Sequence, residues 1–250
     1  MNASNDLRDA FNQIPPVTRW LFASAVVVTG LSVLNIISPN TFIFYLPLIV
    51  QRLQLWRLVT NFVYCGMGLR AAFNLYFIFK YSSDLEQTQF AGKTADYVWF
   101  LLLMMISQLF FGWWFTFVIL SDALIMSLVY LWAQRNRDVT VTFMFGLRFK
   151  ALYLPFVLTA YDLLLMGSMG RNVLGIVTAH AYYFLTDVYP ASGGPRLLST
   201  PSFLTRSLPN QGVTRGGFSA SGVHMTAPRH AREPPKTSGV FTGKSRRLGS

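Results

Sequence analysis

Cysteine is almost missing from this sequence. Cys65 is the only one in 250 residues. No intrachain disulfide can form, and no zinc site can be built from thiolates. Charge is scarce too: charged residues make up 12%, against roughly 25% in ordinary soluble domains. Acidic residues are scarcest, ten against 21 basic, for a net charge of +11. With 52% hydrophobic residues and a mean hydropathy of +0.40, the chain is neither a water-soluble enzyme nor disordered throughout. It has no H-E-x-x-H zinc signature, no phosphate-binding P-loop, no dinucleotide glycine fingerprint and no Gly-x-Ser-Gly. No internal repeat of the kind that builds transporters is present.

An apolar chain that is also basic must segregate the two properties. No charge falls between Arg19 and Arg52, and none between Asp96 and Asp122. From Ala151 to Thr186 only Asp162 and Arg171 interrupt. A helix needs about 20 apolar residues to cross a ~30 Å hydrocarbon core. These segments are apolar all round rather than on one face, so the chain is read as a polytopic membrane protein.

Six spans are predicted: residues 17–38, 69–82, 95–111, 114–133, 151–168 and 173–189, with Gly112 as the tight turn between the third and fourth. A four-span reading would treat the second and sixth as interfacial. Residues 40–68 are apolar but broken by Pro47, Arg52, Arg57, Gly66 and Gly68, and read as an interfacial or re-entrant loop with short helices. Leu7, Phe11 and Ile14 point to a short amphipathic segment over residues 1–16, closed by Pro15 and Pro16. No cleaved signal peptide is expected.

The basic residues set the orientation. Most lie on the side that holds both termini, and only Arg52, Arg57, Arg70 and Arg171 fall on the other. Both termini are therefore expected in the cytosol. From residue 191 to 250, Gly, Ser, Pro, Thr and Arg dominate, and the one acid is Glu233. This region is expected to be a largely disordered cytosolic tail. Its most apolar stretch, Leu197 to Leu204, is expected to pack back on the membrane domain, 17–190.

Few side chains inside the spans carry chemistry. Asp122 and Asp162 are the acids. An unpaired carboxylate in hydrocarbon costs about 2.5–3.5 kcal/mol, so each must be protonated, paired or near an aqueous cavity. The sequence offers no obvious basic partner for either. Ser121, Ser127 and His180 are the only intramembrane candidates for nucleophile and base. Gly175 and Ala179 form a small-xxx-small pair that lets two helix backbones approach closely, and His180 follows it.

Several segments resemble the Derlin family. They are Leu55-Trp56-Arg57-Leu-Val-Thr-Asn61-Phe62, Met126 to Arg137, and Gly175 to Leu185 with Ala179 and His180. Tyr189-Pro190 and Leu198-Ser-Thr-Pro201 extend the match. The resemblance runs in order from about residue 8 to 205. It implies a rhomboid-like, all-α bundle of six transmembrane helices without catalytic activity, in the endoplasmic reticulum membrane. It also implies a part in endoplasmic-reticulum-associated degradation, beside a membrane ubiquitin ligase complex, helping misfolded lumenal or membrane proteins reach the cytosol. Trp56, Arg57 and Asn61 are its loop signature, and Gly175, Ala179 and His180 its helix-packing motif. Ala179 stands where the family has a second glycine. In active rhomboids the catalytic histidine precedes the glycine motif, whereas His180 follows it.

A second resemblance lies at 241–248. Phe241-Thr-Gly243-Lys-Ser245-Arg-Arg-Leu248 resembles the SHP box, Phe-x-Gly-x-Gly-x-x-Leu, with Ser245 in place of a glycine. It implies recruitment of the hexameric AAA segregase, with Phe241 and Leu248 as apolar anchors. The expected mechanism is local thinning of the lipid bilayer plus a lateral opening between spans two and five, which Asn74 is a candidate to line. No cofactor, metal or nucleic acid is expected; the tail has no RGG repeat and only Phe203, Phe218 and Phe241 for stacking. Homo- or hetero-oligomers are left open. The competing classes are an active rhomboid-type intramembrane protease and a small multipass transporter.

Overall fold

The computed structural model describes residues 14–143, 146–165, 167–195 and 197–208. The first thirteen residues and the 241–248 box lie outside that range. Six long helical segments fall where six spans are predicted, in the same order. They are α1 Pro16–Val33, α4 Gly68–Asp84, α5 Thr94–Trp114, α6 Ser121–Arg135, α7 Leu154–Leu164 and α8 Met169–Tyr183. Two short helices, α2 Leu46–Arg52 and α3 Arg57–Val63, lie in the broken loop between the first two, and α9 Ser202–Ser207 follows the last. The chain is a mostly helical polytopic membrane protein, with one short two-stranded hairpin between α6 and α7.

Local sequence explains the ends. Pro15 and Pro16 start α1, because a proline at the first helical positions sacrifices no hydrogen bond. Asn35, left-handed at φ 55°, and Pro39 stop the chain from continuing. Gly66 and Gly68, at φ +86° and +66°, turn it from α3 into α4. The bend there is 97°. α1 and α5 are long and apolar enough to cross a bilayer unaided, and a third span results if α3 and α4 count as one bent unit.

The fourth span differs from its expected start. Gly112 lies inside α5, and the turn falls at Phe115 to Leu120. One glycine costs a helix only about 1 kcal/mol, and the Phe-Phe-Gly-Trp-Trp run is otherwise apolar throughout. The break comes at Thr116, left-handed at φ 58°. Gly112 instead gives room to Leu120, whose side-chain carbons would lie 3.0–3.1 Å from an added Cβ.

α6 is the centre of the bundle. Every residue from Ser121 to Ala133 is buried, and α3, α4, α5, α7 and α8 all pack on it. At 15 residues it spans about 22 Å at 1.5 Å per residue, shorter than the hydrocarbon core. Both α4 and α8 continue as five-residue π-helical turns, Leu85–Gln89 and Phe184–Val188. The first has a visible use. Glu86 accepts from the Val17 and Thr18 backbone N–H groups, at 3.0 and 2.7 Å, and from Thr18 Oγ1 at 2.8 Å. It caps the otherwise uncapped start of α1 from another helix.

The stretch expected to return does so. Thr200 Oγ1 donates to Asp96 Oδ1 at 2.6 Å, Leu204 is buried, and α9 packs on α5.

Candidate functional site: a buried charge cluster beside a lateral cleft

α4, α6 and α8 begin at the same end of the bundle, and α7 ends there. Each brings a charge: Arg70, Asp122 and Arg171 in first turns, Asp162 in the last turn of α7. Arg70 Nη2 lies 2.7 Å from Asp122 Oδ2 and 3.1 Å from Asp162 Oδ1. Arg171 Nη2 lies 3.1 Å from the same Asp122 oxygen. The four form a chain of alternating sign: Arg171, Asp122, Arg70, Asp162. Two asparagines complete it. Asn74 Nδ2 donates to Asp122 Oδ1 at 3.1 Å and to the Cys65 carbonyl at 3.2 Å. Asn172 Nδ2 donates to Asp162 Oδ2 at 2.9 Å.

Helix electrostatics explain the order. A first turn favours an acid and disfavours a base, so Asp122 is well placed on its own helix while Arg70 and Arg171 are not. Both arginines gain from sharing Asp122. The cluster is neutral, and its interior cavity of about 10 Å³ has room for roughly one water.

Beside the cluster, α4 and α7 rest on α6 and face each other across a cleft. Phe73 and Tyr161 bridge it edge to face, with ring centroids 5.4 Å apart. Toward the far end it opens into a cavity of about 390 Å³ between Tyr76, Phe77, Tyr81 and Leu154. This is the seam between the second and fifth predicted spans. Asn74 lies at its polar end but is buried and turned to α6, bonding helix to loop and helix to helix.

The loop signature divides its labour. Trp56 is half exposed, at 49%, whereas Arg57 is buried at 6%. Arg57 Nη1 donates to the carbonyls of Asn40 and Ile43, at 2.6 and 3.0 Å, and its Nε to Gln54 Oε1 at 2.6 Å. One guanidinium thus reaches three acceptors and ties the 40–43 stretch to Gln54 just before α3. Asn61 is fully buried, and its amide bonds back to the carbonyls of Arg57 and Leu58.

At the α6–α8 contact, Gly175 has no room for a side chain: an added Cβ would meet the Ala123 carbonyl and lie 2.8 Å from Met126 Cβ. Ala179 is fully buried in the same contact. Ser127 Oγ bonds Gly175 O at 2.9 Å and receives Gln108 Nε2 at 2.7 Å. His180 Nδ1 bonds Tyr130 OH at 2.7 Å. The serine and the histidine thus have separate partners, and the serine's are interhelical packing bonds. Among the described residues, no three His, Cys, Asp or Glu side chains gather as a metal site requires.

Residues 14–202 match the model of the Der1-like family. The chain belongs to that family. Curated relatives agree along nearly the whole length. It is 39% identical to Derlin-1 of Homo sapiens over 251 residues, covering 98% of this chain and 99% of the relative. It is 34% identical to Derlin-1 of Drosophila melanogaster over 240 residues, covering 94% and 98%. Against Derlin-2.1 of Zea mays it is 35% identical over 240 residues, covering 87% and 96%. The Der1-like match spans every helix of the bundle, and its limits enclose the charge cluster, the cleft and the loop signature.

Sequence reasoning noticed Asp122 and Asp162 but not their partners. In the sequence, Arg70 and Arg171 carry only a topology signal. The usable signal is depth: two bases and two acids sit at matching positions near one end of four of the six spans.

Proposed function

We propose that this chain is a non-catalytic component of endoplasmic-reticulum-associated degradation that helps misfolded proteins pass from the membrane or lumen to the cytosol. The observation that carries the reading is the cleft between α4 and α7. It joins a polar cluster at one end to a cavity of about 390 Å³ at the other, in a chain aligned end to end with Derlin proteins. Such a seam gives a hydrophilic segment partners at membrane depth. The short α6 and α7 favour a thinned bilayer around it, which lowers the cost of crossing.

The rest follows from sequence. The distribution of Lys and Arg puts both termini in the cytosol. The tail from residue 191 carries the box at 241–248, whose Phe241, Gly243, Ser245 and Leu248 would hold the AAA segregase, so that the motor pulls where the substrate emerges. A membrane ubiquitin ligase complex would supply modified substrates. Cleavage is disfavoured because Ser127 and His180 are engaged apart.

The test replaces the endogenous protein with variants in cells and follows a misfolded membrane reporter. Arg57→Ala is expected to stabilise the reporter at normal expression. The pair Phe241→Ala and Leu248→Ala is expected to abolish segregase pull-down. Normal degradation with Arg57→Ala refutes a role for the loop. Reporter cleavage that His180→Ala abolishes refutes the non-catalytic reading.

A further inference from the structure

Between α6 and α7 the chain forms a two-stranded antiparallel hairpin, β1 Thr140–Phe143 and β2 Leu147–Lys150. It lies at the end of the bundle opposite the charge cluster, since α6 runs away from the cluster and α7 runs back. The register pairs Thr140 with Lys150, Val141 with Phe149 and Thr142 with Arg148. Ala151 N–H donates to Val139 O at 2.8 Å. Hydrogen-bonded and non-bonded pairs alternate along an antiparallel ladder. Val141 and Phe149 therefore exchange both their bonds. The N–H and C=O groups of Thr140 and Thr142 point out of the hairpin. None of those four groups finds a partner among the described residues.

The two edges differ. On β2 the outward residues are Arg148 and Lys150, both exposed. Basic side chains are the usual way to blunt an edge against pairing. On β1 the outward residues are two threonines, uncharged, β-branched and exposed. The positions differ too. Val141 and Thr142 line the α4–α7 cavity beside Tyr76, Tyr81 and Leu154, and no β2 residue does. The unblunted edge is the one at the mouth of the cleft.

We propose that the β1 edge is a docking strand for an extended polypeptide segment leaving the cleft. It would pair through main-chain hydrogen bonds to Thr140 and Thr142. The inference rests on the proposed function, which brings a polypeptide into that cleft. An unfolded segment presents a donor and an acceptor at every second residue whatever its sequence. Backbone pairing of this kind gives hold without sequence preference, which suits a protein that handles many misfolded chains. A β2 edge closed by charge leaves one direction of approach.

The test uses the full chain in lipid nanodiscs with a benzophenone amino acid at position 140 or at position 76. The probe is fluorescent, reduced and carboxymethylated lactalbumin, which stays unfolded. Crosslinks are expected at both positions. Thr142→Pro removes only an outward N–H, leaves the β1–β2 bonds intact and keeps Val141 extended. It should lower the crosslink at 140 about five-fold, the worth of one main-chain hydrogen bond. Thr142→Val keeps the N–H and should leave the crosslink unchanged. In a second arm on the unaltered protein, a short Thr/Val-rich peptide should compete with the probe. Its alternately N-methylated form should not. Equal losses with proline and valine, or equal competition by both peptides, overturns the proposal. A crosslink at 76 without one at 140 overturns the docking edge and leaves the route standing. No crosslink at either position removes the route, and the edge with it.

Discussion

The chain of alternating charge makes a ranked prediction. Arg70 and Asp122 are its middle members and Arg171 and Asp162 its ends. Removing an end leaves every remaining charge in contact with an opposite one. Without Asp162, Arg70 keeps Asp122 at 2.7 Å. Removing a middle member strands an end. Arg70→Met leaves Asp162 with only the Asn172 amide, and Asp122→Asn leaves Arg171 with no acid in contact. Breaking a fully buried pair by removing one partner costs roughly 3–5 kcal/mol. These side chains retain 6–20% exposure, so partial hydration lowers the expected cost to about 2–4 kcal/mol for the middle members. The ends lose one charged hydrogen bond and should cost about 1–2 kcal/mol. The double variant Arg70→Met with Asp162→Leu removes the stranded charge, and should be more stable than Arg70→Met alone.

The assay is reversible unfolding of the purified protein in mixed micelles of rising SDS fraction, followed by the fluorescence of its six tryptophans. Two results would refute the reasoning. One is Asp162→Asn or Arg171→Met as costly as Arg70→Met. The other is a double variant weaker than Arg70→Met by the full cost of a second independent loss.

Three further outcomes are expected. Arg57→Lys cannot reproduce a fork that reaches three acceptors, and should lose about 2–3 kcal/mol; faster amide exchange confined to residues 38–56 would report it. Glu86→Ala uncaps α1 and should cost about 1–2 kcal/mol, with fraying of residues 16–19 visible by exchange. Gly175→Ala puts a methyl against the Ala123 carbonyl and should cost about 1–3 kcal/mol. Gly175→Val should prevent accumulation of folded protein, and normal yield by size-exclusion chromatography would count against the close approach of α6 and α8.

Much of the bundle is legible from hydropathy alone, because a long run without charge has few fates other than a buried helix. The boundary at Gly112 was not legible. Composition marks glycine as a turn, but the deciding feature is Leu120 packing onto it from beyond the break. The cluster was half legible. Its acids stand out because an isolated carboxylate is costly in hydrocarbon. Its arginines do not, since basic residues near span ends have a ready explanation as topology signals. The two pairs of Arg70 join positions 52 and 92 apart in sequence, which no local pattern encodes. Trp56 and Arg57 enter the sequence reading together, as parts of one loop signature. The fold separates them into an exposed ring and a buried clamp, because the loop turns back over Asn40 and Ile43. Nothing in the local sequence singles out Glu86. Its role depends on α1 starting beside it, a tertiary fact.

The position of Asp162 at the end of the charge chain bears on how the cleft could widen. Among the described residues, contacts between α4 and α7 at that level include the Arg70–Asp162 pair and the Phe73–Tyr161 edge contact. An aromatic pair of this kind is worth about 0.5–1.5 kcal/mol. If α7 swung away from α4 while staying on α8, Arg70 would keep Asp122, and Asp162 would keep Asn172, which it meets at 2.9 Å here. No charge is left without a polar partner, so separation costs the terminal link and not the cluster. Had Arg70 paired with Asp162 alone, the same movement would strand a guanidinium at membrane depth. α6 has no such freedom, with Ser121 to Ala133 buried on every side. In the proposed route, the element that would move is therefore α7, the shortest of the six long helices. The Arg70→Met variant would leave its carboxylate without a cation, favouring displacement of α7 toward water even before a substrate arrives.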